Sequence, residues 1–371
     1  MDYEIEFHPV GDGTKAGDAI TIRYGVAGQY EIMVVDGGTQ DCAELVVEHI
    51  KAFYGDNAVI SHLVSTHPDA DHASGLREIL RNFPVQNVWV HGLWHHAGEM
   101  LPYFEDGWTE ATLSEEIKER YPIIAELIDL AFAQGASVFE PFQGTQIGPF
   151  TVLSPSRQTY LRLVPQFRKT PEPNKELLEA EHMWTGAKDQ SVFRQLFEKA
   201  ARAVTNWIGE TWDVELLKDG ATTAAENDSS TVLFANFGDT KVLLTGDAGV
   251  NALTWACNYA DLNGIDRSNL GLIQVPHHGS RSNVGPTILD RLIGPRLPAG
   301  TATSRTAVVS CPKDDEKHPR NMVVNAFRRR GCFVGKTQGT YFRKYSTGMP
   351  ARTNEVPAVG FDWFDQVEAY D

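Results

Sequence analysis

The chain has 371 residues, 42% of them apolar and 22% charged, and its 33 basic against 49 acidic side chains give a net charge of −16. That is ordinary globular composition, enough to bury a sizeable core in one large domain or two ordinary ones, and it excludes a low-complexity chain. An acidic surface repels polyanions at long range, which argues against non-specific nucleic-acid binding while leaving room for a local basic groove.

Short β-type runs dominate the first hundred residues, at 4–8, 19–24, 31–35, 59–64 and 88–90, each bounded by Gly, Asp, Asn or Pro. Helical patterns at 42–54 and 73–82 lie between them. The run 113–134 reads as one long helix, with strands following at 138–139 and 150–153. Residues of about 157–225 are charged and carry no strand signal, so a helical insertion is expected, with helices at 175–182 and 191–208. Strands return at 231–236, 241–245 and 271–275, with helices at 249–259, 286–293 and 320–330. The last run, 350–371, is aromatic-rich and irregular. Two β-rich halves separated by helical material imply two sheets packed between helices.

The cysteines Cys42, Cys257, Cys311 and Cys332 form no CxxC pair, so reduced thiols in a cytoplasmic protein are expected. The start, Met1-Asp2-Tyr3-Glu4, does not read as a signal peptide, and no apolar run approaches the roughly 20 residues a membrane span needs. No membrane association is expected.

Three motifs carry chemistry. His67-Pro68-Asp69-Ala70-Asp71-His72 puts four metal-capable side chains within six residues at the end of an apolar strand. Imidazole suits zinc, manganese or iron, and carboxylates add charge for harder divalent ions. Thr245-Gly246-Asp247 places a carboxylate just beyond another strand, where it could bridge two ions. Alone, such an Asp is more often a helix N-cap. Val275-Pro276-His277-His278-Gly279-Ser280 ends a third strand with two adjacent histidines. Each motif gains weight from the other two.

Together with Asp36-Gly37-Gly38, these motifs stand in the order of the metallo-β-lactamase superfamily, which the chain resembles. Asp69 in place of a second histidine, Gly17-Asp18-Ala19, Asn227-Asp228-Ser229-Ser230 and His318-Pro319 are similar to the soluble hydrolase domain of the ComEC type. The resemblance covers about residues 1–345, apart from the insertion and much of 93–135, leaving 346–371 as a C-terminal extension. It implies an α/β fold, the αββα sandwich of two mixed sheets between helices, holding one or two divalent ions, zinc or manganese. By the resemblance, Asp71, His72, Asp247 and His277 hold one ion, and His67 and Asp69, sharing Asp247, hold the other. Between the adjacent histidines, His277 is assigned because it leaves the strand first; the pair stays open, and His278 would then support the site or meet substrate. Asp36 is implied to orient the metal-site loop, and Asn227 and Ser230 to serve as supporting or substrate-binding groups. The usual third histidine before Asp247 is missing, and His91, His95 and His96 are candidates to compensate.

A divalent ion lowers the pKa of bound water from about 16 to about 7, and two ions about 3.5–4 Å apart can hold nucleophile and phosphoryl oxygen together. Asp71 or Asp247 would take a proton from that water. His318 and Ser280 are candidates to contact charged oxygens or protonate the leaving group. The expected function is a metal-dependent hydrolase using such a hydroxide, a phosphodiesterase or nuclease acting on DNA or a small phosphodiester. The alternative is a small-molecule hydrolase of a lactone, thioester, amide or cyclic nucleotide; a non-enzymatic subunit retaining the fold is a third reading. Arg328-Arg329-Arg330, with Lys336, Arg343 and Lys344, is the expected basic lining for a polymer. The insertion and the C-terminal extension are the surfaces on which a protein partner would dock.

Overall fold

The computed structural model describes residues 1–12, 15–186, 206–315, 317–353 and 355–370. Its frame is a pair of seven-stranded sheets. The first runs, in spatial order, Phe342–Tyr345, Asp2–Phe7, Ala19–Val26, Gln29–Gly37, Ile60–Val64, Val85–Trp89, Ser137–Phe139. The second runs Phe333–Lys336, Thr306–Val309, Leu270–Gln274, Lys241–Leu244, Val232–Asn236, Phe150–Ser154, Gln146–Ile147. Both are mixed, for a local reason. Where the connection is a tight turn, as at Ala27-Gly28 with Gly28 at φ 83°, the strands pair antiparallel. Where a helix intervenes, as Ala43–Tyr54 between Gln29–Gly37 and Ile60–Val64, they pair parallel.

The side-chain period of two sorts each strand between layers. In Gln29–Gly37, Val34 packs with the helical cluster of Val46, Ile50, Leu76 and Leu127, while Met33 and Val35 pack between the sheets. In Lys241–Leu244, Leu243 joins Leu253, Leu289 and Phe327 on the helical side, while Val242 and Leu244 face the first sheet. The layers are therefore helix, sheet, sheet, helix: the α/β sandwich expected. Strands buried on both faces read as near-continuous apolar runs. Cutting fully buried Leu63 or Leu243 to Ala should cost about 2–5 kcal/mol each.

Several elements differ from expectation. The run 113–134 divides into Glu110–Arg120 and Pro122–Gln134, because Pro122 lacks the N–H and the space needed to continue a helix but suits the start of a new one. The expected helix 73–82 is instead Ala70–Ala73 and Leu76–Asn82, interrupted at Gly75. A Cβ there would lie 1.8 Å from the Gly37 carbonyl oxygen, so only glycine lets the Gly37 loop press on the helix. The stretch 157–225 holds the helices Arg157–Leu163 and Lys175–Ala180, but also the strand Trp207–Gly209, antiparallel to Gln366–Glu368 in the C-terminal run. The expected helix 191–208 lies outside the described residues as far as 205. Half of the basic set is not a surface lining: Arg329 and Arg330 are fully buried and bind Glu210, Glu215 and Asp290, and Arg343 pairs with Glu4 and Glu355, while Arg328, Lys336 and Lys344 are half-buried. Among the described residues no helix is long and apolar enough to cross a membrane, and all four cysteines are unpaired thiols.

Candidate metal centre

Parallel strands of both sheets deliver their C-terminal ends to one place. Ile60–Val64 leads into His67–His72, Lys241–Leu244 into Asp247, Leu270–Gln274 into His277 and His278, and Thr306–Val309 into Ser310. Asp36, next to last in the neighbouring strand Gln29–Gly37, adopts a left-handed conformation, φ 56°. Its Oδ1 accepts from the Thr66 backbone N–H at 2.8 Å, and its Oδ2 accepts from the Thr66 hydroxyl at 2.6 Å and from His72 Nδ1 at 2.8 Å. One carboxylate thus fixes the loop and the ring of His72, leaving His72 Nε2 aimed at Asp247 Oδ1, 3.2 Å away.

The His277-His278 pair is built by strain. Both residues sit at positive φ, 47° and 54°, which costs a side chain with a Cβ about 1–2 kcal/mol each and persists only where the surroundings enforce it. The effect is to send the two rings to different sides of Asp247. His278 Nδ1 donates to the Ser310 carbonyl at 3.0 Å, and its Nε2 lies 3.8 Å from Asp71 Oδ2. His277 Nε2 lies 3.6 Å from Asp247 Oδ2, on the same oxygen that His67 Nε2 approaches at 3.8 Å. His67 Nε2 is also 4.0 Å from Asp69 Oδ2.

Asp18, His72, Asp247 and His278, all buried, bring one nitrogen or oxygen each to within 4.8 Å of one another. Both Asp18 oxygens, Asp247 Oδ1, and the Nε2 atoms of His67, His72 and His278 are buried without a hydrogen-bond partner. Buried polar atoms are nearly always paired, so a converging set without partners is the signature of a cation's ligands. The electrostatics agree. Burial alone would lower the His72 pKa, but Asp247 and Asp36 outweigh it and raise it well above the ordinary imidazole value. Burial likewise opposes charge on His278, yet Asp71 and Asp18 lift its pKa to about 9. Burial raises the Asp18 carboxyl, partly offset by His278 and His72. His67 is lowered, chiefly by burial and then by His72, which keeps its lone pair free. The pocket is a carboxylate-rich one that demands positive charge, and it could hold a metal ion.

The structure thus brings His67, Asp69, Asp71, His72, Asp247, His277 and His278 around one point, but groups them differently from the sequence reading. His278, not His277, shares the Asp71–His72 side, because the two left-handed residues carry it there; His277 lies with His67 and Asp69, where a histidine looked to be missing. Asp247 is only 2% exposed. His277 Nδ1 stands 2.8 Å from Asn227 Nδ2 and 3.1 Å from Asn283 Oδ1, and the Ser230 hydroxyl accepts from the Asp247 backbone N–H at 3.2 Å. Ser280 Oγ accepts from the Ser282 N–H within its own loop. His318 stacks 6.1 Å from the His277 ring and places Nδ1 3.2 Å from Asp315 Oδ2. The three candidates to compensate have other neighbours: His91 stacks on Tyr160, His95 packs edge-on to Trp94, and His96 Nε2 is 2.8 Å from Glu140 Oε2. Asp18 stands out in the sequence only within the Gly17-Asp18-Ala19 motif. Its signal was the preceding Gly17, where a Cβ would meet the Asp71 carbonyl oxygen at 2.6 Å.

Residues 26–145 match the family model of the metallo-β-lactamase superfamily, a span that includes Asp36 and His67–His72 and ends before Asp247. No curated protein sequence matches the chain. Among solved structures it is similar to the metallo-β-lactamase fold protein YhfI from Bacillus subtilis, at 9% identity over 93% of this chain and 100% of that one, TM-score 0.38. It is also similar to the metallo-β-lactamase SMB-1 bound to 2-mercaptoethanesulfonate, at 11% identity over 74% and 82%, TM-score 0.31. A long form of RNase Z from yeast is similar at 10% identity over 83% and 37%, TM-score 0.30.

Proposed function

We propose, from the metallo-β-lactamase fold and the buried histidine–aspartate cluster, that the chain is a metal-dependent hydrolase of phosphodiesters. Members of the superfamily are metal-dependent hydrolases, typically of zinc. The observation that carries the metal reading is the unpartnered, converging set Asp18, His72, Asp247 and His278. With Asp71, these residues would hold one divalent ion. His67, Asp69 and His277, using the other oxygen of Asp247, would offer a second position. A divalent ion held by these residues, zinc or manganese, would supply Lewis acidity and would lower the pKa of a water toward neutrality.

The chain's own groups do the rest. Asp36 holds the His72 ring and the Thr66 loop, and Asn227, Asn283 and Ser230 hold His277 and Asp247. Asp71, with its side chain 38% exposed, would take a proton from water. His318, beside both histidines and backed by Asp315, would give a proton to the leaving oxygen. Carboxylate-rich sites suit ions that work on phosphates, and the ComEC-type likeness supports the same chemistry. The second reading, a hydrolase of a lactone, thioester, amide or cyclic nucleotide, is favoured by one observation: Arg329, Arg330 and Arg343, expected to line a groove for polymer, are internal. A protein partner is proposed at the strand pair Trp207–Gly209 and Gln366–Glu368, where Trp207 and Ile208 are exposed.

The test is turnover of bis-nitrophenyl phosphate, single-stranded DNA and duplex DNA with manganese and with zinc, beside a lactone and a thioester. Metal-dependent phosphodiester cleavage supports the proposal. Ester or lactone turnover with no phosphodiester cleavage under any metal would give the second reading the site.

A further inference from the structure

The insertion lays one guanidinium against the centre. Arg168 Nη2 donates to Asp69 Oδ1 at 2.7 Å and to Asp69 Oδ2 at 2.5 Å, so both oxygens of that carboxylate are engaged by one cation. The arginine is held from behind. Its Nε and its backbone N–H both donate to Glu226 Oε1, at 3.1 and 2.5 Å, and Glu226 is 1% exposed. Phe167, one residue earlier, is fully buried in the helical core. The Thr170 hydroxyl closes the turn on the carbonyls of Val164, Pro165 and Phe167. Arg168 is thus placed by a packed turn and a buried acid, not by Asp69 alone.

The two sides of Asp247 are therefore unequal. On the side of Asp18, His72 and His278, the atoms that face one another lack partners. On the side of His67 and His277, where His67 Nε2 also lacks a partner, the nearby carboxylate, Asp69, is already paired with the Arg168 guanidinium, 40% exposed. A divalent ion arriving there must draw Asp69 from an oriented guanidinium or sit within a few ångströms of a like charge, and either weakens its binding. We propose that Arg168 sets the metal stoichiometry of the centre: it holds Asp69, keeps the His67–His277 side from binding a second ion tightly, and makes this a one-ion site. The inference rests on the metal centre proposed above.

Equilibrium dialysis and calorimetric titration with manganese alone and with zinc alone test it, on the full chain. Wild-type protein should hold one ion tightly and a second weakly. Arg168→Met should tighten the second ion by about tenfold or more, equivalent to about 1.4 kcal/mol. Arg168→Met with Glu226→Gln should do the same while leaving no unpaired buried carboxylate, which guards against a folding defect. Adding Asp69→Asn should abolish the gain. Two tightly held ions in wild type, or a second-ion affinity unchanged or weakened in both Arg168 variants, would overturn the role of Arg168 while leaving the centre itself standing. A wild-type protein that binds no ion, or an Asp247→Asn variant that binds as wild type does, would remove the metal centre and the inference with it.

Discussion

Replacing Arg329 by Met asks whether the basic run near the C-terminus is structural or faces a ligand. The Arg329 side chain is fully buried. Its Nε donates to the Trp212 carbonyl at 3.0 Å, and its Nη2 donates to the carbonyls of Val214, at 2.8 Å, and Thr211. Its Nη1 lies 3.2 Å from Glu210 Oε1, and the guanidinium stacks on Trp363. Methionine fills the volume but leaves three carbonyls and a 4%-exposed carboxylate short of donors. Glu210 keeps Asn325 and the Leu216 N–H, so the loss is not total. Breaking a buried pair by removing one partner costs about 3–5 kcal/mol, and that is the loss expected here. Adding Glu210→Gln should recover part of it, because the stranded charge is then gone. The assay is urea unfolding of metal-free protein, so that ion binding does not enter the balance. A loss under about 1 kcal/mol, within the range of an exposed pair, would show that Arg329 is not the buried clasp of residues 210–214 and would reopen a ligand-facing role.

Asp247→Asn should cut phosphodiester turnover by several orders of magnitude with the fold retained; a folded variant keeping more than about a tenth of wild-type rate, a loss under about 1.4 kcal/mol, means the site is misplaced. His318→Ala should lower kcat by about 10²–10⁴, the range for a lost general acid, with metal content unchanged and a far smaller effect on an activated nitrophenolate leaving group; loss of metal would make it a ligand instead. Glu140 tests the second histidine cluster by its pH dependence. Burial would raise its carboxyl, but His91 and His96 outweigh that and hold its pKa at about 2. A depressed folded pKa means stability that is present above the unfolded value of about 4.3 and is lost as pH falls through the folded value, at most about 3 kcal/mol. The melting-temperature gap between wild type and Glu140→Gln should therefore close between about pH 4 and pH 2, and a gap that persists at pH 2 contradicts the pairing.

The strands at the front of both halves were legible because they are buried on both faces and read as apolar runs with Gly and Asp stops. Thr306–Val309, Phe333–Lys336 and Phe342–Tyr345 were missed: each is four residues long, and the last carries Arg343 and Lys344, whose charges read as surface. The Asp36, His67–His72 and Asp247 motifs were legible because ligand density is itself a signal. The sharing of ligands was not. It is decided by the backbone at His277 and His278, and a left-handed conformation at two residues with Cβ atoms leaves no mark in the sequence. Nor could sequence show that Arg329 and Arg330 turn inward, since their partners Glu210, Glu215 and Asp290 lie far away in the chain.

The most direct test of the account is the position of a bound ion. Crystals grown with zinc or manganese and measured at the metal's absorption edge should show an anomalous peak about 2.0–2.3 Å from the Nε2 atoms of His72 and His278 and from an oxygen of Asp247. An ion bound by His277 and not by His278, or none near Asp247 at all, would contradict it.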